Sequence, residues 1–342
     1  MTEIRFGILG AARIAGTALI NPAGAVAGVR VDAIAARDPV RASAAAAKSG
    51  IGKAVNGYEA LLGDDSIDAV YIPLPNSLHG EWTIRALEAG KHVLCEKPFT
   101  ANAAEARQVA DVAAGSGLVV MEAFHYRYHP LTSRLIEIVR SGELGELRSA
   151  SAMLCVPMPP GKNIRWNFEL AGGSMMDLGC YGVHMLRTVI GTEPRLVRAR
   201  AKTLRGPLDR CLQARLEFPG ERDGQTGGEV NGVVTAAMWS GRVFAMNLQF
   251  EGTEGRMRVF NPISPHLFAR VTIHAGGRRR VEHTSRRPSY EFQLEAFRDA
   301  VRDGAPVLTD PLDAVANMTV IDAAYRDAGL PLRPSAAESA RD

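Results

Sequence analysis

The feature that most constrains the fold is an alternation in the first third of the chain, where short apolar runs of strand length are separated by helical patterns. Ile4 to Leu9 (IRFGIL), Val29 to Ala36 (VRVDAIAA), Ala69 to Ile72, His92 to Cys95 and Leu118 to Met121 read as strands. Arg13 to Leu19, Pro39 to Lys48, Leu78 to Glu88 and Ala103 to Ala114 read as helices, and Gly90 is the stop after the third. Parallel neighbours need a crossover connection, and right-handed crossovers put helices on both faces. The expectation is an α/β domain over residues 1–124, built on a doubly wound, Rossmann-type parallel sheet.

The pattern changes after Phe124. Pro130 to Arg140 reads as a helix closed by Gly142. Strand-like runs follow at Leu147–Val156, Leu196–Thr203, Cys211–Phe218, Val230–Trp239, Val243–Phe250, Arg256–Phe260 and Leu267–His274. Turns rich in Gly and Pro, such as PGERDG and NPISP, separate some of them. This predicts an α+β domain over residues 125–331 on a large, mostly antiparallel sheet. Its helices are expected at Ser174–Val189, Tyr290–Asp303 and Asp310–Asp327, with a frayed tail from 332 to 342.

Composition narrows the function classes. A length of 342 residues suits two domains, and a net charge of +3 gives no broad field for nucleic acid or an anionic membrane. The longest uncharged run, Ile14 to Val29, is 16 residues and is broken by Asn21 and Pro22, too short to span a bilayer. Cys95, Cys155, Cys180 and Cys211 are scattered without a CxxC pair, so neither a metal site nor a disulfide framework is expected. Free thiols, and an N-terminus without basic and apolar signal regions, predict a cytoplasmic protein. The basic cluster Arg278–Arg280 with Arg286 and Arg287 reads as a solvated sheet edge rather than a nucleic-acid surface.

Four segments carry the chemistry. Gly10-Ala-Ala-Arg-Ile-Ala15 follows the first strand, where a dinucleotide fold puts its glycine fingerprint. Gly10 supplies the tight turn and Ala15 permits close helix packing, but Ala12 stands where the second glycine is expected. With Arg13 and Ile14 this turn is the candidate pyrophosphate site. The second strand ends in Ala36-Arg37-Asp38, with Arg41 one turn on. Guanidinium groups there suit a 2′-phosphate, hence NADP(H) in preference; Asp38 keeps NAD(H) possible, or else caps the next helix. Glu96-Lys97-Pro98 follows the fourth strand, at the sheet end where ligands bind. In the helix after Gly172-Gly173-Ser174, the spacing of Asp177, Tyr181 and His184 puts a carboxylate, a phenol and an imidazole on one face. That cluster is either catalytic or a buried structural network.

The runs GILGAARIA, AARD, LPNSLH, CEKP, MEAFHYRYHP and AGGSMMDLGCYGVH resemble the Gfo/Idh/MocA oxidoreductases over nearly the whole chain. Within that family the pattern looks most like the NADP-dependent branch of dihydrodiol dehydrogenases, xylose dehydrogenases and glucose–fructose oxidoreductase. The resemblance implies that Lys97 is the active-site lysine and Tyr181 the proton donor or acceptor, with Asp177 beside them. His184 departs from the histidine placement of inositol dehydrogenases. Pro73, Leu74, Asn76, His79, Glu96, Pro98, Arg127, Arg165 and Trp166 fall where relatives line the cofactor or substrate cleft, Tyr126 and His184 fall with Lys97, Asp177 and Tyr181 in the substrate group, and Pro98 matches a frequent cis peptide.

The expected activity is hydride transfer between NADP(H) and a sugar, polyol or related carbonyl compound, with Tyr181 as acid–base group assisted by Lys97. Tyr181 is followed four residues later by Met185, not the lysine of a short-chain dehydrogenase. A glycosidase with a retained nicotinamide cofactor and an NADPH-binding sensor are the alternatives. Met238, Trp239, Phe244 and Met246 on neighbouring strands suggest a face buried in a homodimer or homotetramer.

Overall fold

Ile4–Leu9 (β1) is apolar and buried except at Arg5, which pairs with Asp68, because both faces of the strand are covered. A Cβ at Gly7 would lie 2.5 Å from Leu61 Cδ2, so only glycine admits the short helix Tyr58–Leu62 this close. A computed structural model describes residues 3–204, 206–222 and 225–336. In it β1 pairs in parallel with Val29–Ala36 (β2) and with Ala69–Ile72 (β4). Lys53–Asn56 (β3), His92–Cys95 (β5) and Val120–Glu122 (β6) complete a six-stranded sheet in the order β3-β2-β1-β4-β5-β6. All of its pairs are parallel, and the order reverses between β1 and β4. β3 was not expected from the sequence: its residues are mostly exposed and carry no apolar pattern.

Contact density divides the chain into two units. One takes the chain up to Tyr128 together with Pro288–Val315, and the other takes His129–Arg287 and Ala316–Pro334. A single cut at residue 124 therefore misplaces 288–315. The reason is the helix Ser289–Asp303, whose Leu294 and Phe297 enter the core of the first sheet. The Phe297 ring sits 5.2 Å from that of Phe6.

The second unit holds Leu147–Cys155 (β7), Arg195–Thr203 (β8), Asp209–Arg222 (β9), Gln225–Ala237 (β10), Ala245–Gly252 (β11), Gly255–Phe260 (β12), Arg270–Ala275 (β13) and Arg278–Glu282 (β14). They form one sheet in the order β14-β13-β12-β11-β7-β10-β9-β8. Every neighbouring pair is antiparallel except β7 and β10. β14, read from sequence only as a basic cluster, is a charged edge strand.

One face of this sheet supports the helix Cys180–Ile190. A Cβ at Gly182 would lie 2.8 Å from Val234 Cγ1 on β10, so glycine sets the approach. The expected tail also needs correction at its start. Arg333 is fully buried, held by an ion pair within the unit, so the chain does not fray at 332.

Candidate active site

In the first unit the candidate residues gather at the carboxyl ends of the parallel strands. β1 runs into Gly10, whose φ of 113° favours glycine and whose N–H donates to the Ala35 carbonyl at 2.8 Å. A Cβ there would lie 2.9 Å from Leu74 Cδ2, which explains the glycine beside the Pro73–Leu74 segment. Ala12 is half-buried in the turn, and Arg13 and Ile14 are exposed. At the tip of β2, Ala36 is buried while Arg37 and Arg41 are exposed. Asp38 caps the helix Pro39–Ser49: its Oδ1 accepts from Val40 N–H at 2.9 Å. The carboxylate is thereby engaged locally and the two guanidinium groups define the tip.

His79, expected to line the cleft, is almost fully buried. Its Nδ1 lies 2.7 Å from the Pro98 carbonyl and its Nε2 2.8 Å from that of Leu74. It therefore ties the segment after β4 to the segment after β5. Burial, reinforced by the charge of Lys97, pushes the imidazole down to about 4. The neutral ring donates to one carbonyl at a time.

The peptide Lys97–Pro98 is cis, and Lys97 is half-buried. Beside it, Glu96 Oε1 accepts from the Tyr71 hydroxyl at 2.7 Å and Oε2 from Lys97 N–H at 3.3 Å. Burial, then the Glu96 charge, holds the Tyr71 phenol well above its ordinary value, so Tyr71 stays a donor. Phe99 N–H donates to the buried Glu122 carboxylate at 2.8 Å, fixing the far side of this loop. Asn76 and Arg127 are half-buried and Tyr126 is buried.

Sequence reasoning did not select His125 and Tyr290 for the site. Their rings stack 3.9 Å apart, and His125 Nδ1 bonds the Ser289 hydroxyl at 2.7 Å. Burial and the charge of Glu96 push the Tyr290 phenol up. Nothing local in the sequence joins residues 165 positions apart; only the packed helix Ser289–Asp303 does.

In the second unit the glycine pair before the candidate helix has two separate causes. A Cβ at Gly172 would lie 2.5 Å from the Arg165 carbonyl oxygen. Gly173 has φ 128°, and a Cβ there would lie 2.1 Å from Asp209 Oδ1. Asp209 is fully buried and organises the turn. Its Oδ2 accepts from the Ser174 hydroxyl at 2.7 Å and from Met175 N–H at 2.8 Å. Its Oδ1 accepts from Arg333 Nη2 at 2.5 Å and the Tyr325 hydroxyl at 3.1 Å. Arg333 also donates through Nε to the Gly172 carbonyl at 2.6 Å, and its guanidinium lies 4.1 Å from the Tyr325 ring centroid.

The segment that follows is not the continuous α-helix expected. Met175–Gly179 is a π-helical turn, in which Cys180 N–H bonds the Met175 carbonyl, and α-geometry starts at Cys180. Asp177 thus lies in the π turn and Tyr181 in the α-helix, so ordinary helical spacing does not govern their relation. Asp177 pairs with Arg165 at 2.8 Å, with 12% of the carboxylate side chain exposed. Tyr181 is 6% exposed and His184 1%. The Trp166 indole N–H is buried without a hydrogen-bond partner among the described residues.

A six-stranded parallel sheet of Rossmann type, in a chain that also carries a large, mostly antiparallel sheet, is the architecture of a two-domain, nicotinamide-linked oxidoreductase. Residues 4–124 match the domain described as "Oxidoreductase family, NAD-binding Rossmann fold", and residues 132–258 match the "GFO/IDH/MocA C-terminal domain". The chain belongs to the Gfo/Idh/MocA oxidoreductase family. It is 40% identical over 327 residues to D-xylose 1-dehydrogenase (NADP(+)) 2 of Haloferax volcanii, covering 94% of this chain and 97% of that protein. It is 32% identical to trans-1,2-dihydrobenzene-1,2-diol dehydrogenase of Macaca fascicularis over 68% of this chain and 67% of that protein. The crystal structure of KijD10, a 3-ketoreductase from Actinomadura kijaniata in complex with NADP and TDP-benzene, superposes with a TM-score of 0.85. It is 30% identical, covering 95% of this chain and 98% of that one.

Proposed function

We propose that this protein is an NADP-dependent dehydrogenase or reductase acting on a sugar or a related hydroxy or carbonyl compound. The observation that carries the reading is Lys97 at the carboxyl end of β5, beside a Glu96 carboxylate that accepts from Tyr71. A cation at the carboxyl edge of a Rossmann sheet, one strand beyond β4 and the switch point, can polarise a substrate oxygen. Relatives named for D-xylose and for a keto-sugar substrate support the substrate class.

Gly10, Ala12, Arg13, Ile14, Ala36, Pro73, Leu74 and Asn76 line the proposed dinucleotide path. Arg37 and Arg41 hold the 2′-phosphate of NADP, since Asp38 is engaged as a helix cap. Arg127, Arg165 and Trp166 complete the cofactor contacts. When bound, the nicotinamide accepts or supplies the hydride. Tyr181 moves the proton of the reacting oxygen, taking it in oxidation and giving it in reduction. Lys97 supplies the positive charge that lowers the cost of phenolate. Asp177, held by Arg165, orients substrate hydroxyls with Tyr126, while the buried His184 supports the helix that carries Tyr181. The protein works in the cytoplasm as a homodimer or homotetramer.

A spectrophotometric assay with NADP+ or NAD+ against D-xylose and a panel of aldoses and polyols tests the reading. Reduction of NADP+ faster than NAD+ with at least one sugar is expected. Tight NADPH binding with no turnover across the panel, in either direction, would overturn it.

A further inference from the structure

Arg333 and Asp209 form an ion pair in which neither side chain has exposed surface. Apolar side chains of similar volume would hold a core at least as well, because they carry no cost of removing charge from water. What a charged pair supplies and apolar packing does not is direction. Arg333 donates to the Gly172 carbonyl and to Asp209, and Asp209 accepts from the Ser174 hydroxyl and from Met175 N–H. The pair therefore clamps the glycine turn from both sides.

That turn joins two halves of one loop. On the upstream side, Gly172 N–H donates to the Asn167 carbonyl at 2.9 Å and Gly173 N–H to the Arg165 carbonyl at 3.0 Å. These bonds hold the short 3-10 turn Ile164–Trp166, which Asn163 caps through Oδ1 to Arg165 N–H at 3.1 Å. The Phe168 ring centroid lies 5.0 Å from the Arg333 guanidinium, so the same side chain also seats the residues between the two turns. On the downstream side, Asp177 N–H donates to the Gly173 carbonyl at 3.0 Å within the π-helical turn. The side chains of Arg165 and Asp177 then meet at 2.8 Å, with 39% of the arginine and 12% of the aspartate exposed. A pair this open to water fixes little by itself, so its geometry is set by the backbone behind it.

We propose that Arg333 is a positioning residue for the reaction, fixing Arg165 against Asp177 through the Gly172–Gly173 turn. With no accessible surface, Arg333 touches neither substrate nor cofactor and acts only through the turn, 161 positions away in the chain. The inference rests on the reading above, in which Arg165 contacts the cofactor and Asp177 orients the substrate.

The test uses the full chain and Arg333→Lys. Lysine keeps a cation beside Asp209 but replaces the planar fork with one ammonium, which does not reproduce the paired bonds to Asp209 and Gly172. Hydrogen–deuterium exchange, read by mass spectrometry, follows the loop directly. Peptides covering 163–179 should exchange about tenfold faster in the variant, with those from β7 and β10 unchanged. Kinetics with NADP+ and the best sugar of the panel, at a temperature where both proteins are fully native by circular dichroism, reads the consequence. There kcat/KM for the sugar should fall about 10- to 100-fold, as expected for misplaced orienting groups. In an Asp177→Asn background the same change should cost about twofold or less, because the pair it positions is already broken. If the lysine variant does not fold, Tyr325→Phe removes another donor to Asp209 and should act in the same direction by about threefold. Unchanged exchange over 163–179 would overturn the inference, as would an unchanged kcat/KM or a fully additive loss in the Asp177→Asn background. A parent enzyme without turnover would overturn the proposed activity instead, and faster exchange of 163–179 would still support the placement of Arg165 and Asp177 by Arg333.

Discussion

At the scale of single residues, chemistry and position separate the candidates. His79 ties two loops together and Asp38 caps a helix, so both have a structural duty, while Tyr181 and Lys97 are proposed for the chemistry. Tyr181→Phe removes one hydroxyl and should lower kcat by about 10²- to 10⁴-fold with an unchanged melting curve. Turnover near that of the parent enzyme would remove Tyr181 from the mechanism. Arg37→Ala with Arg41→Ala should weaken NADP+ more than NAD+, by about tenfold or more in KM ratio, because the extra phosphate loses its charge-assisted partners. Steady-state kinetics with both cofactors measures this. His79 makes a pH prediction. Its folded value of about 4 lies below its ordinary 6.5, so between those values the unfolded chain binds a proton that the native state does not. Stability contributed by the neutral ring is intact above pH 6.5 and falls as pH drops toward 4, by on the order of 3 kcal/mol in total. Urea midpoints at pH 7 and pH 5 should differ in the parent protein and differ less in His79→Gln.

At the scale of elements, the turn that launches the Tyr181 helix is built by a buried ion pair rather than by helix propensity. The Asp209 carboxylate occupies the space where a Gly173 side chain would stand. Gly173→Ala therefore meets both a steric block and an unfavourable φ, and should destabilise by several kcal/mol in denaturant titration. Removing Arg333, by Arg333→Ala or by ending the chain at Leu332, leaves Asp209 buried without its cation. The expected cost is about 3–5 kcal/mol, and a loss below 1 kcal/mol would contradict the role assigned to the pair. The π turn at Met175–Gly179 belongs to the same account. Local spacing correctly put Asp177 and Tyr181 in one helical segment but took the period to be uniform.

At the scale of the whole molecule, the first unit is completed by chain that arrives almost 300 residues later. Phe297 covers Phe6, Thr309 Oγ1 donates to the Glu122 carbonyl at 2.7 Å, and Ser289 bonds His125. A fragment of residues 1–124 should therefore lack a cooperative thermal transition. Residues 288–315 supplied as a linked segment should restore one, with calorimetry as the readout. Cooperative unfolding of the short fragment alone would show that Ser289–Asp303 only decorates the sheet.

The sequence by itself determined the Rossmann strands, the large antiparallel sheet and the family. Those features rest on apolar periodicity, glycine turns and short motifs, which act over a few residues and can be read locally. It also marked Lys97, Asp177 and Tyr181, because each sits at a predictable place relative to its own strand or helix. Only the tertiary structure decided that Asp177 is paired with Arg165, that Arg333 is core rather than tail, and that His125 and Tyr290 stack near Glu96. It likewise decided that Arg280 of the basic edge is paired with Glu143 and Glu282. The physical reason is common to all of these. Burial and pairing between residues far apart in the chain are set by how elements pack, and no local pattern of residues encodes that packing.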